Sequence, residues 1–121
     1  MDTEVLKDKV LKLLDDMKAL DVQAFDVAEM TTVTDCMIVA SGTSNRHVRS
    51  IASNIVDELR EAGIRPFGTE GEEHGEWILL DYGDVVLHVM QSGTREFYQL
   101  EKLWSPDVME MLRLQRESTA E

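Results

Sequence analysis

The chain lacks the patterns that mark secreted and membrane proteins. It has one cysteine in 121 residues, which excludes an intrachain disulfide and fits a reducing compartment. Its longest apolar runs are only a few residues long, too short to cross a bilayer, and the N-terminal sequence MDTEVLKDKVLKLL carries acids where a signal peptide would need a basic start. We therefore expect a cytoplasmic protein that has no membrane partner.

Basic residues are also scarce. Twelve lysines and arginines stand against 24 acids, which gives a formal net charge of −12. This charge repels bare nucleic acid, so we expect no direct nonspecific nucleic-acid binding, and it favours a basic partner or simply solubility. The length and the 43% hydrophobic content predict a single domain over residues 1–121, with a core from about residue 3 to residue 115 and a frayed C-terminal tail.

Two segments have the apolar spacing of amphipathic helices. The first begins near Asp2 or Thr3, either of which can cap it. The second follows Thr43 or Ser44 and is predicted to end at Gly63, where a left-handed C-terminal cap belongs. A third, short helical segment is predicted in TREFYQLEKLW, with Trp104 packed inside, and a further helix is predicted to begin with Ser105 as its cap.

The remaining apolar segments predict strands. Residues 22–30 suit a strand at an edge or in a half-exposed position, residues 36–40 suit a central strand covered by helices on each side, and a short strand is expected near Phe67. A strand followed by a helix and more strands indicates a right-handed crossover. We therefore predict an α/β protein: a mixed β-sheet with flanking helices.

Residues 77–90 read as a β-hairpin with a two-residue turn at Tyr82 and Gly83. This turn pairs Asp81 with Asp84 and places Trp77 opposite His88, since side chains alternate between faces. One face is then a wholly apolar core face: Ile78, Leu80, Val85 and Leu87. The other is mixed: Trp77, Leu79, Asp81, Asp84, Val86 and His88. Trp77 on the mixed face, rimmed by acids, has the composition of a protein-binding hot spot.

Signals for catalysis and for metal binding are weak. The segment SGTS precedes a helix, as phosphate-binding turns do, but the further glycines and the lysine of a P-loop are missing, which favours helix capping. The histidines His47, His74 and His88 lack paired metal-ligand spacing, Cys36 reads as a buried hydrophobe, and the acidic segment EGEEHGE reads as a solvated loop. We expect no metal, no cofactor and no catalytic residue.

One enzymatic alternative stays open. A small nucleotidyl- or phosphotransferase could use the SGTS turn for phosphate, with Asp81 and Asp84 holding magnesium. A second alternative is an interaction module, for instance a homodimer built through the first helix and an exposed sheet surface.

Three separated blocks carry a resemblance to a known family: DCMIVASGTSNRHVRSIA, WILLDYGDVVLHV and REFYQLEKLW. Together they resemble the ribosomal silencing factor family, also called the Iojap-related family, over nearly the whole chain. The resemblance implies a fold similar to that of nucleotidyltransferases but without their catalytic carboxylates. It also implies a translational repressor, because members bind large-subunit ribosomal protein fourteen and block the joining of the two ribosomal subunits when nutrients are scarce.

The resemblance further implies which residues meet the partner. In the matching hairpin these are Trp77, Leu79, Asp81, Tyr82 and His88, and in the matching helical block they are Arg95 and Tyr98. Asp81 or Asp84 would face lysines or arginines of the ribosomal protein. Family members self-associate, so a homodimer is expected as well.

Overall fold

The structure, a computed structural model, describes residues 2–29 and 34–99. The helices are α1 (Thr3–Asp16), α2 (Asn45–Glu61) and α3 (Ser92–Tyr98), and the strands are β1 (Leu20–Asp26), β2 (Cys36–Gly42), β3 (Gly68–Glu70), β4 (Trp77–Asp81) and β5 (Val85–Gln91). None of the helices within these residues is long and apolar enough to cross a membrane. The predictions for Trp104, for the helix after Ser105 and for the tail lie outside the described residues.

The five strands form one sheet in the order β1-β2-β5-β4-β3. β2 and β5 are parallel, whereas the other neighbouring strands pair antiparallel, so the predicted mixed sheet is confirmed. The edge position predicted for the strand that became β1 is confirmed, and the short strand expected near Phe67 is β3 at the opposite edge. The central strand predicted at residues 36–40 is β2, which has a neighbour on each side.

The helix ends follow the local sequence. Asp2 caps α1 by accepting a hydrogen bond from the Val5 N–H at 2.9 Å, and Ser44 caps α2 by accepting one from the His47 N–H at 3.1 Å. Gly63 has the predicted left-handed conformation, with φ of 82°. Behind it the Ile64 N–H donates to the Leu59 carbonyl at 2.8 Å, which satisfies a carbonyl of the last helical turn.

The hydrophobic core lies between one face of the sheet and the two long helices. α1 and α2 contribute residues at three-to-four spacing, and alternate residues of β2, β4 and β5 meet them. The fully buried members from both sides include Val10, Leu14, Ile38, Ile51, Ile55, Leu59, Ile78, Leu80, Leu87 and Val89. On the opposite face, α3 approaches the end of β2, where Arg95 contacts Ser41.

The predicted hairpin register is wrong by two residues. Leu79 lies opposite His88, and Trp77 lies opposite Met90 instead of His88. The Tyr82 N–H donates to the Val85 carbonyl at 2.9 Å, so the two turn residues are Gly83 and Asp84, not Tyr82 and Gly83. Because the error is an even number of residues, the strand side chains keep the faces that the sequence predicted.

The physical reason for the shift lies in the turn. Gly83 has φ of 82°, a conformation that suits glycine at the first position of a two-residue hairpin turn. The Asp81 carboxylate also accepts a hydrogen bond from the Gly83 N–H at 2.8 Å, as aspartates before turns commonly do. Asp84 therefore belongs to the turn, where its carbonyl accepts the Cys36 N–H at 2.9 Å.

Candidate functional site

A half-buried patch lies on the sheet face away from α1 and α2. We call it the Trp77 face and define it by Trp77, Leu79, Asp81 and His88, all of intermediate exposure. The side chains of β4 alternate along the strand, so Ile78 and Leu80 point into the core while these residues point outward. A shallow hollow of about 280 Å³ lies against Trp77, Leu79 and His88 and is also lined by Glu70 and Gly71.

Trp77 and His88 are joined by a hydrogen bond. The Trp77 indole N–H donates to His88 Nδ1 at 2.9 Å, and the two rings are tilted by 50° with centroids 5.8 Å apart. Since Nδ1 accepts, the neutral imidazole carries its proton on Nε2. Burial lowers the pKa of His88 to about 4, so the ring is uncharged at neutral pH. The pair therefore presents an oriented, uncharged aromatic surface.

Carboxylates border this aromatic centre. Glu70 of β3 lies opposite Leu79, and Asp81 ends β4 with one oxygen held by the Gly83 N–H. An apolar centre with a charged rim is the arrangement found at protein-binding hot spots, where the rim keeps water from the anchor. The sequence predicted Asp81 in this position but missed Glu70. The glycine-rich composition around Glu70 indicated a loop, although its proximity to Trp77 depends on the β3–β4 pairing.

Two of the predicted partner-binding residues, Tyr82 and Arg95, are buried in the structure. Tyr82 is 5% exposed and packs in the core, where burial raises the pKa of its hydroxyl to about 12. Arg95 is 6% exposed, and its Nη1 donates to the Asp21 carbonyl at 2.5 Å and to the Ser41 hydroxyl at 3.0 Å. Tyr98 ends α3, and its side chain lies outside the described part of the chain. The structure thus brings together Trp77, Leu79, Asp81 and His88.

Arg95 joins α3 to the backbone of β1 and to a side chain of β2, and its removal should lower stability. Replacing it by methionine leaves the Asp21 carbonyl and the buried Ser41 hydroxyl without this donor. We expect Arg95→Met to lower the free energy of unfolding by about 2 kcal/mol, measured by urea denaturation. Arg46→Met, at an exposed arginine, is the control and should change it by less than about 0.5 kcal/mol. Equal stability of the Arg95→Met and Arg46→Met variants would show that these contacts of Arg95 do not stabilise the fold.

The SGTS turn is engaged within the chain. The Thr43 N–H donates to His47 Nδ1 at 2.9 Å, and His47 Nε2, which then carries the proton, donates to the Met17 carbonyl at 2.9 Å. Ser44 is occupied as the cap of α2. These contacts support the capping interpretation, because a phosphate-binding turn must offer such N–H groups to its ligand. His47, which joins the end of α1 to the start of α2, was not recognised from the sequence.

The side chains that could bind a metal ion are scattered in the described residues. Residues 2–29 and 34–99 contain no cluster of three or more His, Cys, Asp or Glu side chains that could hold a metal ion. Cys36 is buried, and burial raises the pKa of its thiol, which disfavours the nucleophilic thiolate. Asp81 has one oxygen committed to the hairpin turn.

Comparisons with known proteins agree on one family. A family model described as "Ribosomal silencing factor during starvation" matches residues 1–121. The chain is 43% identical to ribosomal silencing factor RsfS of Haemophilus influenzae, over 79% of this chain and 94% of that protein. It is 40% identical to the protein of the same name from Chromobacterium violaceum, over 86% of this chain and 85% of that protein. A crystal structure of a Chromobacterium violaceum protein has a TM-score of 0.84 at 40% identity and covers 86% of this chain and 87% of that chain.

Proposed function

Because the chain belongs to the ribosomal silencing factor family, we propose that it represses translation by binding the large ribosomal subunit. In this proposal the contact is made to large-subunit ribosomal protein fourteen, on the surface that meets the small subunit. The bound protein then occupies space that the small subunit needs. Repression requires no bond to be made or broken, so we propose that the protein is not an enzyme and acts without a cofactor.

The Trp77 face is the observation that carries this proposal. It combines an oriented tryptophan, an apolar neighbour in Leu79 and carboxylates at the rim, which suits a basic protein partner with an apolar centre. The net charge of −12 acts in the same direction, because it attracts a basic ribosomal protein and repels the surrounding rRNA phosphates. Lysines or arginines of the partner would pair with Asp81 or Glu70.

A subunit-joining experiment tests this function. Separated small and large ribosomal subunits are mixed, and their association is followed by light scattering with and without the protein. We expect slower and less complete association, with the protein comigrating with large subunits on a density gradient. Unchanged association without comigration would overturn the proposal. Comigration with unchanged association would retain the binding and reject the steric block.

We also propose a cytoplasmic homodimer that exchanges with the ribosome-bound form. The sheet has two exposed edge strands, and such edges are common sites of pairing between copies of a chain. If both partners use overlapping surfaces, dimerisation and ribosome binding will compete, and protein concentration will tune repression. We expect light scattering across a dilution series to show dissociation of the dimer on dilution. A dimer that persists in the ribosomal complex would reject the competition.

A further inference from the structure

A second concave region lies on the helix-covered side of the sheet. It is a groove of about 720 Å³ between α2 and the strands β3 and β4, which we call the arginine groove. Its polar lining includes Arg49, Arg60 and Arg65, and its apolar lining includes Val56, Ile78 and Leu80. Since Ile78 and Leu80 alternate with Trp77 and Leu79 along β4, the groove and the Trp77 face lie on opposite sides of the sheet.

The charge of this groove is opposite to that of the chain. Three arginines line it together with one acid, Glu72, although the protein as a whole has a formal charge of −12. On soluble protein surfaces, charges of the two signs are usually interspersed. A local concentration of guanidinium groups in a concave site instead favours an anionic ligand, because the low-dielectric walls strengthen the local field.

The contacts of the arginines leave them able to meet a ligand. Arg49 is oriented by the backbone, since its Nε donates to the Glu72 carbonyl at 3.2 Å and its Nη2 donates to the Glu73 carbonyl. Arg60 is 56% exposed and lies 3.5 Å from the exposed carboxylate of Asp57. Such an exposed ion pair is weak, so a ligand with a higher charge density can displace the carboxylate.

The volume of the arginine groove and its lining residues indicate which class of ligand it can bind. A volume of about 720 Å³ lies within the range of small-molecule sites and exceeds what an inorganic ion needs. Val56 and Pro66 are partly exposed and form an apolar floor on which a flat group can lie, whereas Ile78 and Leu80 are buried. Guanidinium groups match phosphate in geometry and can bind it through two parallel hydrogen bonds. The combination requires a ligand with an apolar part and several phosphates.

We propose that the arginine groove binds an organic polyphosphate, with a nucleobase or similar flat group on the apolar floor and the phosphates at Arg49, Arg60 and Arg65. This site is distinct from the SGTS turn, where the Thr43 N–H and the Ser44 hydroxyl are engaged within the chain. Binding here is non-catalytic, and it does not depend on the ribosomal function.

Calorimetric titration of the full chain with ATP, GTP, pyrophosphate and polyglutamate tests the proposal. The titrations are done at low salt with EDTA present, because screening weakens contacts to exposed arginines. We expect a nucleotide to bind at least about tenfold more tightly than pyrophosphate, which lacks the group for the apolar floor. The Arg60→Ala/Arg65→Ala double variant should weaken nucleotide binding at least about tenfold, whereas Arg46→Ala, outside the groove, should leave it within about twofold.

A second measurement does not depend on the variants. Amide chemical shifts of the unaltered protein should change on nucleotide addition around Ser53, Val56 and Thr69, which line the groove. Three results would each overturn the proposal: no binding at millimolar nucleotide, shift changes elsewhere than at the groove, or polyglutamate and pyrophosphate binding as tightly as nucleotide. The last result would identify the groove as a general anion surface. No ribosome takes part, so failure here leaves the subunit-joining experiment unaffected.

Discussion

Trp77→Ala is expected to weaken binding to the large ribosomal subunit by about 2 kcal/mol or more, which is about 30-fold in the dissociation constant. The substitution removes the largest side chain of the Trp77 face and leaves His88 Nδ1 without the indole donor at 2.9 Å. It also removes the aromatic wall of the hollow beside Leu79. Binding is measured by cosedimentation with purified large subunits over a range of protein concentrations, and inhibition of subunit joining should fall in parallel.

Phe67→Ala is the matched control for this prediction. Phe67 is 82% exposed, so its truncation removes an aromatic ring of similar chemistry from outside the Trp77 face. We expect its affinity for large subunits to stay within about twofold of the parent protein, since scattered exposed apolar residues contribute little to a separate interface. Circular dichroism and urea denaturation establish that both variants fold. Parent affinity in a folded Trp77→Ala protein would show that the Trp77 face is not the ribosomal contact.

The position of Trp77 depends on His88 through the hydrogen bond between their rings. The uncharged ring of His88 accepts the hydrogen bond from the indole N–H, so His88 is a positioning residue for Trp77 as well as a member of the face. The sequence predicted that both residues share a face, because alternation along strands requires only the parity of their positions. It placed them directly opposite each other, whereas they contact diagonally, because the hairpin register differs from the predicted one.

The register of the β4–β5 hairpin could not be predicted from this sequence. Alternation in β4 and β5 sets which side chains face the core, and helix periodicity sets the buried stripes of α1 and α2. The hairpin register, in contrast, depends on whether Gly83 takes the first or the second turn position, and Asp81 decides this through its hydrogen bond to the Gly83 N–H. The dipeptide Tyr82-Gly83 alone does not reveal whether the glycine takes the first or the second turn position.

Contacts between residues that are far apart in the sequence could not be predicted either. Arg95 reads as a surface cation because charged side chains are rarely buried, yet it lies beside the Asp21 carbonyl, 74 positions earlier in the chain. Tyr82 reads as an exposed turn residue, yet the actual turn begins one position later and leaves its ring in the core. The placement of Arg95 depends on elements that meet only in the folded protein, whereas the placements of Trp77 and Leu79 depend on a local alternation.

Gly71→Ala should have the largest effect on stability. Gly71 follows β3 and has φ of 87°, and a Cβ there would lie 1.9 Å from the Trp77 carbonyl oxygen. Neither the backbone conformation nor this contact can be accepted without movement of the chain. We expect the free energy of unfolding to fall by about 2 kcal/mol or more in urea denaturation followed by circular dichroism.

The same substitution should weaken ribosome binding without altering any side chain of the Trp77 face. To relieve the contact, either the loop after β3 or the start of β4 must shift, and a shift of β4 moves Trp77 relative to His88. Gly68→Ala is the control, because nothing lies within 4 Å of its added Cβ and its φ is not in the left-handed region. It should change stability by less than about 0.5 kcal/mol and leave binding unchanged. Parent-like binding of Gly71→Ala to large subunits would mean that only the loop shifts and that Trp77 keeps its position. In that case the β3–β4 connection does not set the geometry of the Trp77 face.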